Sequence, residues 1–332
     1  MDEPNLLEAL RDAVGDRHVV TGVDRDPYRT DEWQRVGALP VAVALPRTTE
    51  EVAAVVTACS EAGAAVVTQG GHTGLSGGAQ VTGDVASVLV SLRRMNTIEE
   101  LDPTDHTVRV EAGVTIEAIQ EAAAEAGRLF APDWGARGSA TIGGAVSTNA
   151  GGINVLHYGT MRDHVLGLEV VLADGRVWNG LRSLRKDSTG YRLADLFIGA
   201  EGTLGIVTRA VLRLLPAVHD ERSAMVALRA LDGVLPLLDR CREAAGTVTA
   251  FELIPAAGLD LVVERIGRQR PMTSDADWYV LVRIATPDGL DAGVALGELL
   301  REAAEEGLII DAVVAASAEQ THNLWALRDD IT

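Results

Sequence analysis

The sequence predicts an α+β fold in two domains, on three observations. A glycine-rich run follows a short apolar strand at 64–78, a second follows a strand and a helix at 138–152, and from about Ala217 the glycine clusters give way to plain alternation of strand and helix. A chain of 332 residues exceeds what one ordinary core organises, which favours two domains. The composition, 47% hydrophobic but only 4% aromatic, is a bias to small aliphatics that suits helices packed over sheets.

The elements follow in order. Met1 to Ala13 is acidic and amphipathic, without the basic start and apolar run of a secretory signal. Thr48 and Glu51 have capping-box spacing, Val52, Val55, Val56 and Cys59 recur at helical period, and Gly63 suits a stop, so a helix is expected over 49–62. Ala64 to Thr68 reads as a buried strand that delivers the run Gln69 to Gly78. Val108 to Glu111 is a second strand and Thr115 to Ala126 a helix ending at Gly127, ahead of the stretch 138–152. Beyond Ala217, strands are expected near 223–229, 247–253, 278–285 and 307–314, with helices near 231–244, 256–265, 290–306 and 317–330, a ferredoxin-like alternation. The final helix runs to Thr332 without Gly, Asn or Pro to close it, so a chain cut in mid-element is expected.

Composition excludes several functions. A net charge of -19 disfavours nucleic acid, whose phosphates require clustered Lys and Arg. Lys186 is the only lysine, which codon bias explains as well as site-building does. Cys59 and Cys241 are the only cysteines and belong to no CxxC pair, so an iron-sulfur cluster is excluded. No apolar stretch approaches the roughly 20 residues that span a bilayer; a cytoplasmic location is expected, with any membrane association peripheral. Among the seven histidines no HxH or HxxxH pair occurs, and no metal site is expected.

Gly70 to Gly78 consists of glycine and small hydroxyl residues interrupted only by His72 and Leu75, leaving successive backbone amides unshielded. Such amides can converge on an anion, and glycine permits the positive φ that helps them do so. Neither GxGxxG nor GxxxxGK[ST] occurs, which disfavours a Rossmann fingerprint and a P-loop while leaving a phosphate ligand open. A glycine-rich surface turn is the competing reading.

The segment Val66-Val67-Thr68-Gln69-Gly70-Gly71-His72-Thr73-Gly74-Leu75-Ser76-Gly77-Gly78 resembles the pyrophosphate loop of the PCMH-type flavoproteins, the vanillyl-alcohol-oxidase superfamily. Gly138-Ser139-Ala140-Thr141-Ile142-Gly143-Gly144, Thr148-Asn149-Ala150-Gly151-Gly152, Tyr158-Gly159 and Gly199-Ala200-Glu201-Gly202-Thr203-Leu204-Gly205-Ile206 match the second half of that domain in order. Ser183-Leu184-Arg185-Lys186-Asp187-Ser188-Thr189-Gly190-Tyr191 resembles the branch of D-2-hydroxyglutarate, D-lactate and glycolate dehydrogenases. The resemblance covers about 40–332.

It implies an FAD-binding PCMH-type domain of two α+β lobes over 1–216, with its core at 40–216, followed by a ferredoxin-like cap domain over 217–332 that is incomplete. By the resemblance, Gly70, Gly71, His72, Thr73, Gly74 and Leu75 take one side of the FAD pyrophosphate and Ser139, Thr141, Gly143 and Gly144 the other, with Ile206 at the adenine end. Asn149, Gly151 and Gly152 lie toward the flavin. Glu201, Pro132 and Asp133 are either cofactor neighbours or ordinary turn residues. His72 matches a GGH pattern that in some superfamily members bonds covalently to flavin; the dehydrogenase branch often carries Asn there and binds FAD non-covalently, which is the expectation here.

A 2-hydroxy acid needs a cation for its carboxylate and a base for its hydroxyl proton while the C2 hydride leaves. Leu324-Trp325-Ala326-Leu327-Arg328-Asp329-Asp330-Ile331-Thr332 resembles the family segment whose Arg and Thr bind that carboxylate, so Arg328 and Thr332 are the substrate candidates, one helical turn apart. The family's GDGNLH-like segment and later Glu-His pair, which carry metal ligands and the catalytic histidine, have no match here, so the catalytic residues are expected beyond Thr332. His322 is read as a solvated helix residue. The resemblance thus implies FAD-dependent oxidation of a D-2-hydroxy acid, with a quinone, cytochrome or electron-transfer flavoprotein as acceptor. An FAD-binding fragment or subunit that needs a partner chain, and a relative such as an alcohol oxidase or alkyl-glycerone-phosphate synthase, are the alternatives.

Overall fold

The computed structural model describes residues 2–243, 246–286 and 289–331. It divides into two compact units, Met1–Gly151 with Thr160–Pro216, and Gly152–Gly159 with Ala217–Thr332. The second unit therefore includes a short segment that the sequence pattern places with the first domain.

The first unit opens with α1 (Glu3–Val14), capped by the Asp2 carboxylate and burying Leu6, Leu10 and Val14. Then come β1 (Val19–Val20), β2 (Ala42–Ala44), α2 (Thr49–Ala62), β3 (Ala65–Gln69) and β4 (Ser87–Ser91), in a sheet of order β1-β2-β4-β3. β2, β4 and β3 are parallel. Parallel strands of one sheet need crossovers, and α2 supplies the one from β2 to β3, which flank β4. The glycine run leaves the C-terminal end of β3, at the sheet edge.

α2 buries Val52, Val55, Val56 and Cys59, the stripe its period predicts, and stops at Gly63 in the left-handed conformation. The capping box is only half made. Thr48 accepts from the Glu51 amide at 3.2 Å, but the Glu51 carboxylate passes the Thr48 amide and takes that of Arg47 at 2.6 Å. Its position there also faces Arg94, 3.9 Å away.

The second sheet, β5 (Ile98–Asp102), β6 (Thr107–Glu111), β8 (Val165–Val171), β9 (Val177–Gly180) and β10 (Ile206–Arg213), is antiparallel, of order β5-β6-β10-β8-β9. α3 (Ile116–Glu125), capped by Thr115, the short helices α4 (Ile142–Ser147), α6 (Met161–His164) and α7 (Ala194–Phe197), and the small pair β7 (Arg128–Leu129) with β11 (Leu215–Pro216) surround it. Its core gathers Val108, Ile116, Ile119, Phe130, Ile142, Met161, Leu168 and Leu212. Each such burial contributes about 1.5–3 kcal/mol. A buried carboxylate ties this sheet to α2: Glu169 accepts from Thr49 Oγ1 at 2.6 Å, Thr208 Oγ1 at 2.9 Å and Arg209 at 2.7 Å.

In the second unit, α5 (Val155–Tyr158) accompanies β12 (Asp220–Leu228), α8 (Val234–Glu243), β13 (Thr247–Pro255), α9 (Ala256–Ile266), β14 (Trp278–Thr286), α10 (Ala292–Glu305), β15 (Ile309–Val314) and α11 (Ala318–Asp329). The sheet is antiparallel, of order β13-β14-β12-β15, the strand order of a ferredoxin-like fold. α8 and α10 cover one face, α9 and α11 the other.

Two expected boundaries move. The helix expected from 231 begins at Val234, after a 3₁₀ turn at Leu231–Gly233, because Pro236 lacks an amide and fits only the first turn. α11, expected over 317–330, spans Ala318–Asp329, with the Asp330 amide returning to Ala326 O at 3.1 Å. Among the described residues no helix is long and apolar enough to cross a membrane.

Candidate functional site

In the first unit, three of the glycine motifs meet. An added Cβ on Gly70 would stand 2.2 Å from Thr141 Oγ1, and one on Gly71 only 1.9 Å from Ser139 O. The run after β3 and the stretch before α4 thus touch backbone to backbone, which only glycine allows. The third motif closes on α4 from its other end: the amides of Gly199 and Glu201 donate to Val146 O at 3.1 Å and Ser147 O at 2.8 Å, satisfying carbonyls of its last turn. Glu201 has φ 51 and Oε2 3.4 Å from an added Cβ on Gly78, so it is a turn residue beside the first loop.

Among the described residues, none of the amides from Gly71 to Ser76 donates to a protein acceptor, and neither does that of Gly144. Leu75 is exposed, and an added Cβ on Gly74 meets nothing within 4 Å, so this part of the loop borders open space. Positive φ falls on His72, at 58°, rather than on Gly70, Gly71 or Gly74. These three glycines serve close approach and open access; positive φ is taken by His72 and, later in the run, by Gly77, at 83°.

Two buried polar atoms here lack protein partners, Thr141 Oγ1 and His72 Nε2. Thr141 occupies the N-cap position of α4 without making the cap bond. Leaving such atoms unpaired costs about 1–3 kcal/mol each, a cost that a bound acceptor or donor removes. Burial pushes the His72 imidazole below its ordinary value, against the opposing pull of the Asp31 and Glu32 carboxylates, so it favours the neutral form. A glycine cradle, partnerless amides, an orphaned hydroxyl and a neutral imidazole fit the diphosphate of a dinucleotide.

Not every predicted residue offers a group to a ligand. The second glycine stretch is not an open loop throughout, since α4 lies within it. Gly143 is buried there, with its amide donating to Ala112 O at 2.8 Å and room for no side chain, because a Cβ would stand 2.8 Å from Ala112 Cβ. The Ser139 amide is likewise engaged, by Ala136 O at 3.0 Å, leaving its exposed side chain. Ile206 packs into the core below the first sheet, so only its main chain can face a ligand. Asn149 has φ 48 and accepts from the Arg162 amide at 2.9 Å, a partner that sequence reading missed. Gly151 closes the stretch that carries Asn149, and Gly152, at φ 120, opens the segment counted with the second unit. Asp133 is held by Arg137 at 2.8 Å, and Pro132 O takes the Gln120 amide at 2.8 Å, so both read as turn residues.

In the second unit, Arg328 lies in the last turn of α11, half-buried, with Nε donating to Glu252 Oε2 of β13 at 2.9 Å. Thr332 lies outside the described residues. One turn back, Trp325 is buried, donates from Nε1 to Ser223 Oγ at 2.9 Å and stacks under the Arg283 guanidinium, 4.9 Å from its ring centre. Arg283 also binds Asn154 and Thr249. Glu252 and Arg283 were missed by sequence reading, although each is a lone charge inside an apolar strand. His322 is exposed on the first half of α11. Among the described residues no group of three or more His, Cys, Asp or Glu is placed to hold a metal.

A family model described as an FAD binding domain matches residues 40–180, and one described as the C-terminal domain of FAD linked oxidases matches 218–332. The chain is 38% identical over 328 residues to the mitochondrial D-2-hydroxyglutarate dehydrogenase of Bos taurus, covering 98% of this chain and 60% of that protein. It is 36% identical over 332 residues to the D-2-hydroxyglutarate dehydrogenase of Xanthomonas citri pv. viticola, covering 100% and 69%. The chain thus spans about three-fifths of the length of several such relatives. Solved structures of an alkyldihydroxyacetonephosphate synthase, at TM-score 0.78 and 16% identity over 98% of this chain and 65% of that one, and of p-cresol methylhydroxylase, at 0.73 and 20% over 97% and 68%, share its fold. The chain belongs to the PCMH-type FAD-linked oxidases, in the branch of the D-2-hydroxyglutarate dehydrogenases.

Proposed function

We propose that the first unit holds FAD non-covalently and that the protein oxidises a D-2-hydroxy acid to the 2-oxo acid, D-2-hydroxyglutarate being the first candidate because the relatives carry that name. D-lactate and glycolate are the other candidates. The observation that carries the reading is the contact of the first two glycine motifs beside the unpartnered Thr141 hydroxyl and the amides of Gly71 to Ser76, with the third motif closing the far end of α4.

The amides from Gly71 to Ser76 and that of Gly144, with the Thr141 hydroxyl, hold the diphosphate. His72 Nε2 gives one further hydrogen bond, and the main chain of Asn149, Gly151 and Gly152 lines the ring end. FAD, when bound, supplies the acceptor for the C2 hydride. Arg328 binds the substrate carboxylate, with Glu252 fixing its Nε at 2.9 Å and Asp329 Oδ1 standing 3.5 Å from its NH1. The reducing equivalents pass to a quinone, cytochrome or electron-transfer flavoprotein.

A second reading is that this stretch binds FAD but turns over only with further residues or a partner chain; its spanning 60% of the bovine relative favours it. Anaerobic mixing of the flavin-loaded chain with each of the three acids, followed at the flavin absorbance, separates the two. Bleaching by one acid supports the first reading, and retained flavin without bleaching supports the second. Failure to take up FAD at all sinks both. Acid precipitation tests the attachment: colour left in the pellet would show a covalent bond at His72.

A further inference from the structure

Residues 28–37 precede the stretch that the FAD-domain model matches, yet they grip the glycine run. Asp31 is only 3% exposed. Its Oδ1 accepts from the Arg35 amide at 2.9 Å and its Oδ2 from Arg35 Nε at 2.7 Å, with Arg35 NH2 also 2.7 Å from Oδ2, a charge-assisted contact closed within the turn that the Thr30–Val36 bridge makes. The same NH2 donates to Leu75 O at 2.6 Å. Further bonds hold the ends of the run. Before it, Gln69 Nε2 donates to Tyr28 O at 3.0 Å; after it, Gln80 Nε2 donates to Arg35 O at 2.7 Å and the Ala38 amide to Val81 O at 2.8 Å.

The bond to Leu75 O has a directional consequence. In a trans peptide the carbonyl and the following N-H point opposite ways, so turning Leu75 O toward Arg35 turns the Ser76 amide away from it. That amide has no protein acceptor among the described residues. A glycine-rich loop loses much conformational freedom when it orders around a ligand, and ordering it beforehand moves that cost out of the binding step.

We infer that the Asp31–Arg35 pair is a latch that pre-orders the glycine run for the diphosphate, with Asp31 setting the Arg35 fork and Arg35 setting the Leu75–Ser76 peptide. Both are positioning residues. The inference rests on the FAD reading above and adds to it a role for chain that precedes the FAD-domain match.

Arg35→Lys separates the latch from simple stability, because lysine keeps a cation for the buried Asp31 but lacks the planar fork that reaches Leu75 O as well. Flavin-free wild type, Arg35→Lys and Arg35→Ala are titrated with FAD and with ADP, and the thermal midpoint of each flavin-free protein is recorded. Arg35→Lys is expected to bind both ligands about tenfold more weakly at an unchanged midpoint, about the loss that one order of magnitude in Kd represents. Arg35→Ala is expected to bind more weakly still, with a lowered midpoint because Asp31 loses its partner. Equal affinity in wild type and both variants overturns the latch, as does a loss for FAD without one for ADP, or a loss seen only where the midpoint falls. Wild type that takes neither ligand overturns the FAD reading itself, a result distinct from all of these.

Discussion

Gly71→Ala and Gly74→Ala, three residues apart in one motif, are expected to fail in different ways. At 71 a Cβ would stand 1.9 Å from Ser139 O, 2.7 Å from its carbonyl carbon and 3.1 Å from Ala140 Cα, all backbone. To restore even 3.0 Å the two segments must part by about 1 Å, and overpacking of this kind costs about 1–3 kcal/mol or more. For a unit of this size that lowers the thermal midpoint by roughly 2–12 °C, and it opens the cradle as well. At 74 nothing lies within 4 Å and φ is not positive, so the flavin-free protein loses nothing and gains up to about 1 kcal/mol from a stiffer unfolded chain. The added methyl then stands where the diphosphate approaches. Differential scanning fluorimetry of flavin-free protein, paired with flavin content after loading, reads both. A Gly71→Ala protein that melts like wild type would refute the contact between the two motifs; a Gly74→Ala protein that loads fully would refute the open side of the loop as the ligand's side.

Thr141→Val removes a hydroxyl with no protein partner, so flavin-free stability should hold or rise while FAD dissociates several-fold faster, as stopped-flow displacement would show. Glu252→Gln should leave flavin content intact and raise the KM for the acid with kcat nearly kept, since it loosens Arg328 without touching the ring site; lost flavin would contradict the assignment. Burial holds the folded His72 pKa below its ordinary 6.5, so the unfolded chain binds the proton first as pH falls; the associated stability is complete above 6.5 and is lost on acidification below it. His72→Asn should flatten that limb in denaturant titrations, leaving the part due to His18, whose pKa burial also lowers. Burial pushes the Cys59 and Cys241 thiols up to about 12, so a thiol reagent near neutral pH should label neither in the folded protein and both in denaturant.

Where the determinants of an element are local, the sequence displays them. The Thr48 cap, the Val52 to Cys59 stripe and the Gly63 stop lie within one helix and its ends, and the structure keeps all three. The half-made capping box shows where local reading stops, because Glu51 also answers to Arg94, on a different element. The same distinction separates legible from illegible site residues. Thr141 and the glycines announce themselves by motif. Arg35 does not, because its acceptor, Leu75 O, lies 40 residues away and its i,i+4 partner Asp31 sits in a turn rather than on a helix. Glu252 and Arg283 carry a weaker signal, a charge flanked by apolar residues within a strand, which marks a buried polar contact without naming the partner.

Glycine content alone misstates what the first motif does. A run rich in glycine reads as a loop that needs positive φ, yet Gly70 and Gly71 are needed for the lack of a side chain, and Gly143 is consumed by packing on Ala112. Positive φ in the run falls on Gly77, at 83, and on a residue that is not glycine, His72, at φ 58. A non-glycine residue there is strained by about 1–2 kcal/mol, with Asn, Asp and His tolerated best. Position 72 therefore admits few side chains on backbone grounds before any contact with a ligand counts. Asn satisfies the same backbone and still offers a hydrogen bond, which gives a physical reason for the Asn that the dehydrogenase branch often carries in place of the superfamily's histidine. His72→Asn should then retain flavin, whereas His72→Val, β-branched and without a polar atom, should lose both flavin and stability. Equal flavin retention in the two variants would mean that neither the conformation nor the polar group at 72 matters to the cradle.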